Sequence, residues 1–339
     1  MPRSIIGKAA KTLIVAATLA ISFAATPSRA QKATDEVKFG LLPGLALYLP
    51  LWVAEDKGFF AEENVKPTFI NVGGGGAQTM AALLGGSFDM TDLSLPALAA
   101  ANEKGQDLRV IAGNHTSLSY ALQVRSDLPG PVASDGYPAI MHKLRGKRVA
   151  ASTIGSNSYI VMKHLLEGAG MTFNDIVLTQ VQSGSSASVM MAADQLDAVL
   201  QSEPYISMLT DQLKKGRVVL DLRTKEGAAS VGLDGLIYDI WLAKAPVAKE
   251  DRIIRASRAL AKGIKFIQDP STDTKYLADI TRKHLKLDTP DDLLQKQVKS
   301  MIPAFRIVIT RDDVRRSFTV LGIKSIPYEE VVAGLAAEE

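Results

Sequence analysis

Short apolar runs alternate with amphipathic stretches of about ten residues over the first two thirds of the chain. "VKFGLL" has strand character, and a loop "GLALYLP" leads through Pro50 into an expected helix "LWVAEDKGFFAEE". "KPTFINV" reads as the next strand. Four glycines, Gly73 to Gly76, then open the helix "AQTMAALLGG", followed by a strand "FDMTDL" and a helix starting near Ser94 and Pro96. "LRVIAG" and "YALQVRSD" are two further strands. A second series begins at "KRVAAS", passes through "TIGSNS" into the helix "YIVMKHLLEGAG", and continues with the strand "DIVLTQV", the polar turn "QSGSSAS", the helix "VMMAADQL" and the strand "DAVLQ". Pro204 and Tyr205 open another helix. Strands alternating with short helices predict an α/β layered fold.

The two series repeat at an offset of 108 residues: Gly76 with Gly184, Asp89 with Asp197, Ser94 with Ser202 and Pro96 with Pro204. Turn, small-residue helix, aspartate, strand, serine and proline follow one another in the same order in both. Duplication of one α/β unit, giving two similar lobes, is the reading this supports.

From about Ala245 the pattern turns helical. Ile253, Ala256, Leu260, Ile264 and Ile267 share one face of a predicted helix, and Arg252, Arg255, Arg258, Lys262 and Lys265 form a stripe on another. The stripe is read as a solvated face rather than a site for an anionic partner. Later helices begin at "DPSTDTKYLADITRKHL" and "DTPDDLLQKQVKSMI", each with capping residues near its start.

The N-terminus changes the picture of charge. Arg3, Lys8 and Lys11 precede an apolar run from about Leu13 to Ala25 and a small-x-small sequence, Ser28-Arg29-Ala30. This predicts a signal peptide over 1–30, cut near Ala30/Gln31, and hence a periplasmic mature protein. The run is shorter than the roughly 20 residues that span a bilayer. The whole chain has 39 basic and 36 acidic residues; losing the four basic residues of 1–30 leaves 35 against 36, a net charge of −1. Nothing there suggests a nucleic-acid surface. The chain has no cysteine, which removes disulfides, thiolate metal sites and a cysteine nucleophile.

Candidate chemistry is sparse. After Gly76 come Ala77, Gln78 and Thr79, so the lysine of a nucleotide-hydrolase phosphate loop is missing, and the spacing does not fit a dinucleotide fingerprint. What remains is a glycine-rich helix N-terminus that suits a polar or anionic group, or a tight turn with no ligand. Thr153, Ser156, Asn157 and Ser158 offer hydroxyl and amide groups at a second helix start, where N-capping competes with ligand binding. His115 follows a strand end, where ligand crevices of α/β sheets lie. His142, His164 and His284 show no metal-ligand spacing. Tyr48, Tyr159, Tyr205, Tyr238 and Trp241 are read first as core. No nucleophile elbow and no HExxH is present, and Glu203 has no visible partner carboxylate.

"FGLLPGLALYLPLWVAEDKGFFAEENV", the glycine run, "ALLGGSFDMTDLS", "LRGKRVAAS", "LLEGAGM" and "DQLDAVLQSEP" together resemble the nitrate/sulfonate/taurine-type substrate-binding proteins of ATP-binding-cassette importers. The likeness covers about residues 37–210. It implies a type II periplasmic-binding fold: two similar α/β lobes joined by two crossover strands, with a helical C-terminal part and hinge closure on a solute between the lobes. The expected division is 31–127 for the first part of lobe 1, 128–218 for lobe 2, and 219–339 for the return to lobe 1 with the C-terminal helices. Carried over by position, ligand contacts fall at Gly44, Leu45 and Tyr48, at Gly75 and Gly76, at Ser94, at the "TIGSNS" residues Thr153, Ser156, Asn157 and Ser158, and at Glu203 and Pro204. No arginine or lysine stands at those places, so the solute is left open among sulfonate, nitrate, carboxylate and ring compounds. The implied partners are the permease and its ATPase, with no cofactor, no metal and a monomeric mature protein. The other reading is an enzyme on the same fold, a pyrimidine synthase or a desulfinase. The resemblance ties both chemistries to cysteine-containing motifs, which are absent here.

Overall fold

The structure is a computed structural model that describes residues 34–337 apart from Thr116, Thr153, Gly155, Leu321 and Ile323; the expected export segment 1–30 lies outside the described residues. In chain order the described strands are β1 (Asp35–Leu41), β2 (Val65–Asn71), β3 (Met90–Ser94), β4 (Leu108–Gly113), β5 (Tyr120–Arg125), β6 (Arg148–Ala151), β7 (Val177–Gln180), β8 (Ala198–Ser202), β9 (Gly216–Asp221) and β10 (Asp239–Lys244). They form two five-stranded sheets, ordered β2-β1-β3-β10-β4 and β7-β6-β8-β5-β9. In the first sheet β1 runs parallel to β2 and β3, and β10 is antiparallel to β3 and β4. The second repeats this arrangement, with β6 parallel to β7 and β8 and β5 antiparallel to β8 and β9. The second sheet is built from the consecutive strands β5–β9, and the first takes in β10 after the chain has crossed to the second and back.

The duplication read from the sequence is physical. Helices Gly76–Leu84 and Gly184–Ala192 occupy equivalent places, as do β3 and β8. Asp89 accepts a hydrogen bond from the Lys38 N–H (2.7 Å) in the middle of β1, and Asp197 accepts one from the Arg148 N–H (2.9 Å) at the start of β6. Both aspartates therefore pin the middle strand to its neighbour. That explains their matching positions without any ligand.

Parallel strands covered on both faces need apolar residues on both. One core packs Phe39, Trp241 and Tyr48 against the helices Leu49–Asp56, Asp251–Gln268, Thr274–Leu285 and Asp291–Met301. A second gathers Leu83, Leu98, Ile240 and Phe318 on the other face of the first sheet, and a third fills the second lobe around Leu122, Val149 and Leu165. No helix among the described residues is long and apolar enough to cross a membrane.

Several expectations change. The helix expected over 51–63 is two pieces, Leu49–Asp56 and Phe59–Glu62, because Gly58 sits at φ 75° between them. The helix expected from Val189 starts five residues earlier, at Gly184, capped by Ser183. β9 and β10 were not foreseen. The chain crosses between sheets through 114–119 and 222–238, so β5 and β9 extend the second sheet beyond the interval 128–218. The basic stripe of Asp251–Gln268 is not a plain solvated face. Arg255 is buried, pairs with Asp35 and Asp251, and donates to the carbonyls of Glu63 (2.6 Å) and Asn64 (2.9 Å). Arg252 pairs with Asp89 at 2.8 Å, and Lys262 with Glu63 at 2.7 Å. The long helix is thereby fastened to the entries of β1 and β2.

Candidate functional site

The ends of the two middle strands face each other across a cleft. A cavity of about 140 Å³ lies there, lined from the first lobe by Leu42, Leu45, Gly75, Gly76, Asp92 and Asp239 and from the second by Ser156, Asn157, Gln182, Ser183, Gln201 and Tyr205. The walls come close: a Cβ built on Gly76 would lie 3.9 Å from the Ser156 Cα, and one on Gly44 only 2.4 Å from the Tyr205 Oη. A wider space of about 530 Å³ adjoins it, lined in part by His115, Glu203, Arg223 and Gln297.

The glycine run supplies a helix start with its backbone bare. Gly74 and Gly75 have φ of 90° and 85°, and the helix that begins at Gly76 has no side-chain cap at Gly75. The opposite helix, Asn157–Gly168, is capped by Ser156, whose hydroxyl accepts from the Tyr159 N–H (3.3 Å). Ser158 Oγ accepts from the Ser152 N–H (3.1 Å). Ser156 and Ser158 therefore line the cleft while serving local structure.

The deepest polar groups are two carboxylates. Asp92 lies opposite Trp241 in the antiparallel pairing of β3 with β10, and Asp239 stands two residues from Trp241. They are diagonal neighbours on one sheet face. Both are 2 % exposed. Asn114 Nδ2 donates to Asp92 Oδ2 (2.9 Å), and Asn157 Nδ2 reaches across the cleft to Asp239 Oδ1 (3.2 Å). Asp239 Oδ2 has no hydrogen-bond partner. Burial pushes the Asp239 carboxyl up to about 7, against the Asn157 bond. Burial and then the neighbouring Asp239 charge push Asp92 well above the carboxylate range, against the Asn114 bond.

Gln201 presents a second orphan. Its Nε2 donates to Gln123 Oε1 (2.8 Å) and to the Tyr205 carbonyl (3.0 Å), while Gln123 Nε2 donates to the Ile206 carbonyl (2.9 Å). Backbone carbonyls at both ends fix the orientation of these amides. Gln201 Oε1 is left buried and unpartnered.

The expected site residues divide. Leu45, Gly75, Gly76, Ser156, Asn157 and Ser158 line the cavity, and Gly44 stands at its lip. Thr153 lies outside the described residues. Tyr48 is core, with its Oη accepting from the Leu42 N–H (3.0 Å). Ser94 is fully buried and caps the helix Leu95–Glu103 through Ala97. His115 lines the adjoining space, donates from Nδ1 to the Ser117 carbonyl (3.0 Å), and is held down to about 4 by burial. Glu203 lines that space as well, occupied by Arg223 (2.6 Å) and Ser207, and Pro204 only precedes the Tyr205 turn. Asp92, Asp239 and Gln201, which the sequence reading does not single out, also line the cavity, as does Tyr205, read there first as core. An acid inside the apolar strands "FDMTDLS" and "LIYDIW" was the available signal for the first two. Among the described residues no group of three or more histidine or acidic side chains is placed to hold a metal.

Two lobes of this topology with a polar cavity between them define the type II periplasmic-binding fold, the class found in solute-binding proteins. Residues 47–271, roughly two thirds of the chain, match the family described as NMT1/THI5 like, and the chain belongs to that family. The nitrate/sulfonate/taurine-type resemblance read from its motifs stands with it. YtlA of Bacillus subtilis (strain 168), named as a candidate binding protein, is 22% identical over 287 residues, 82% of this chain and 79% of that one. The fold is similar to the alkanesulfonate-binding protein SsuA of Xanthomonas axonopodis pv. citri, solved with MOPS, at TM-score 0.65 and 16% identity over 90% of this chain and 99% of that one. It is also similar to the periplasmic nitrate-binding protein NrtA of Synechocystis PCC 6803, at TM-score 0.61 and 15% identity over 79% and 70% of the two chains.

Proposed function

We propose that the protein is the solute-binding component of an ATP-binding-cassette importer, exported to the periplasm, and that it captures a small solute between its lobes by hinge closure. The observation that carries this is the buried polar lining drawn from both lobes, with Asp239 Oδ2 and Gln201 Oε1 left without partners. Buried orphan acceptors are destabilising by about 1–3 kcal/mol each unless something binds them. A cleft that gains those bonds from a solute, and closes over it, turns that deficit into affinity. The partners on this reading are a permease and its ATPase, with no cofactor and no catalytic step. His115 and Glu203 belong to the adjoining space, where a longer solute would extend.

The test is a thermal-shift screen of residues 31–339, purified through denaturation to remove carried solute, against sulfonates, nitrate, carboxylates, amines and amino acids. A ligand at a hundred times its dissociation constant adds about 2.7 kcal/mol, a rise of a few degrees. Such a hit, lost on filling the cleft, is the expected result. A hit that survives filling the cleft would place binding elsewhere and overturn the reading.

A further inference from the structure

We propose that the solute is recognised through a protonated nitrogen, an ammonium or amidinium group, seated against Asp92 and Asp239. This rests on the reading of the cleft as the solute site and names the chemistry that site takes.

Four observations point the same way. The two carboxylates lie on one face of the sheet and both line the cavity. No arginine, lysine or histidine lines it among the described residues. Its unpartnered atoms, Asp239 Oδ2 and Gln201 Oε1, are both acceptors, so they call for a donor. Much of the exposed area of the rest of the wall is apolar, from Leu42, Leu45, Leu93, Val199 and Leu200, set between neutral groups such as Ser156, Ser158 and Ser183. A buried acid pair repels an oxyanion and attracts a cation, strongly so away from water. A divalent metal would need about six oxygen ligands, which two carboxylates do not supply. The cavity of about 140 Å³ is close to the roughly 150 Å³ that holds one benzene ring, so the group carried on the nitrogen is small. The bare helix start at Gly76 suits a polar or anionic far end, but it stands at the rim and the acids at the floor.

Binding a cation here requires Asp239 to ionise, while Asp92, pushed further up by burial and by the Asp239 charge, keeps its proton. The other titratable groups facing Asp239 are Asp92 and the tyrosines Tyr48, Tyr120 and Tyr238, which burial pushes upward and keeps neutral. His115 is also close, through its carbonyl on the Asp239 N–H, and is kept neutral near pH 7 by burial. With Asp239 held up to about 7, its ionised fraction rises about 30-fold between pH 5.5 and 8.

The experiment is calorimetric titration with probes matched in shape but differing in the nitrogen: benzylamine against benzyl alcohol, and β-alanine against propionate, with nitrate and ethanesulfonate as anions. The amine of at least one pair is expected to bind at least tenfold tighter than its partner and about 30-fold tighter at pH 8 than at pH 5.5. Asp239→Asn, checked for folding by circular dichroism, is expected to lose that preference and the pH dependence. Binding of nitrate, ethanesulfonate or propionate that Asp239→Asn leaves intact overturns the charge assignment while the cleft remains a solute site. Equal binding of amine and alcohol overturns it as well. No binding by any probe, together with no hit in the broad thermal screen, removes both this proposal and the solute-binding reading beneath it.

Discussion

Asp239 holds one oxygen against Asn157 of the opposite lobe and turns the other into a cavity where nothing meets it. Its folded-state carboxyl is raised from 3.8 to about 7. Between those values the folded protein keeps a proton that the unfolded chain has lost, so the Asp239 contribution to stability falls as pH rises from about 4 to about 7 and is flat above, while Asp92, pushed further up, extends the fall to higher pH. The size of the Asp239 effect is on the order of 4 kcal/mol. Asp239→Asn is expected to flatten this part of the pH–stability curve of the ligand-free protein and to raise its melting temperature at pH 8. A curve of unchanged slope in the variant would mean that another group carries the dependence.

Elements explain why some candidates serve the fold. Ser94 was a natural ligand contact by position, yet its hydroxyl is fully buried and accepts from the Ala97 N–H (3.3 Å) at the start of a helix. Ser94→Ala is expected to lower stability by about 1 kcal/mol in urea denaturation and to leave solute affinity within twofold. A tenfold loss of affinity at unchanged stability would return Ser94 to the site. The strand–helix order of the first 200 residues was legible because alternating patterns and turn residues agree there, and the duplication was legible because Gly76 and Asp89 each have a structural job that recurs 108 residues on, at Gly184 and Asp197. β10 was not legible. Its sequence "DIWLAK" is a short apolar run with no alternation, and it pairs with β3 and β4, which lie more than a hundred residues earlier. Missing that strand meant missing Asp239 at its first position. The glycine rim of the site could be read locally; its acidic floor is made by long-range pairing that no local pattern reports.

At the scale of the molecule, the chain leaves the first sheet after β4, builds the second from β5 to β9 and returns as β10, so the paths at 114–119 and 222–238 are where the lobes are joined. On the proposed reading, closure about such a pair of connections would bring Gly44 toward Tyr205 and Gly76 toward Ser156, where the two walls already come near. Gly76 has room for a Cβ, whose nearest neighbours would be Leu93 Cδ2 at 3.6 Å and Ser156 Cα at 3.9 Å. A leucine there would fill the cleft and leave both lobes folded. The most direct test of the account is therefore mass spectrometry of the undenatured protein, isolated from the periplasm, beside Gly76→Leu of matched melting temperature. The account predicts a small molecule released in near-stoichiometric amount from the wild type and absent from the variant. The same molecule in equal amount from both would contradict it, because the solute would then be held outside the interlobe cleft.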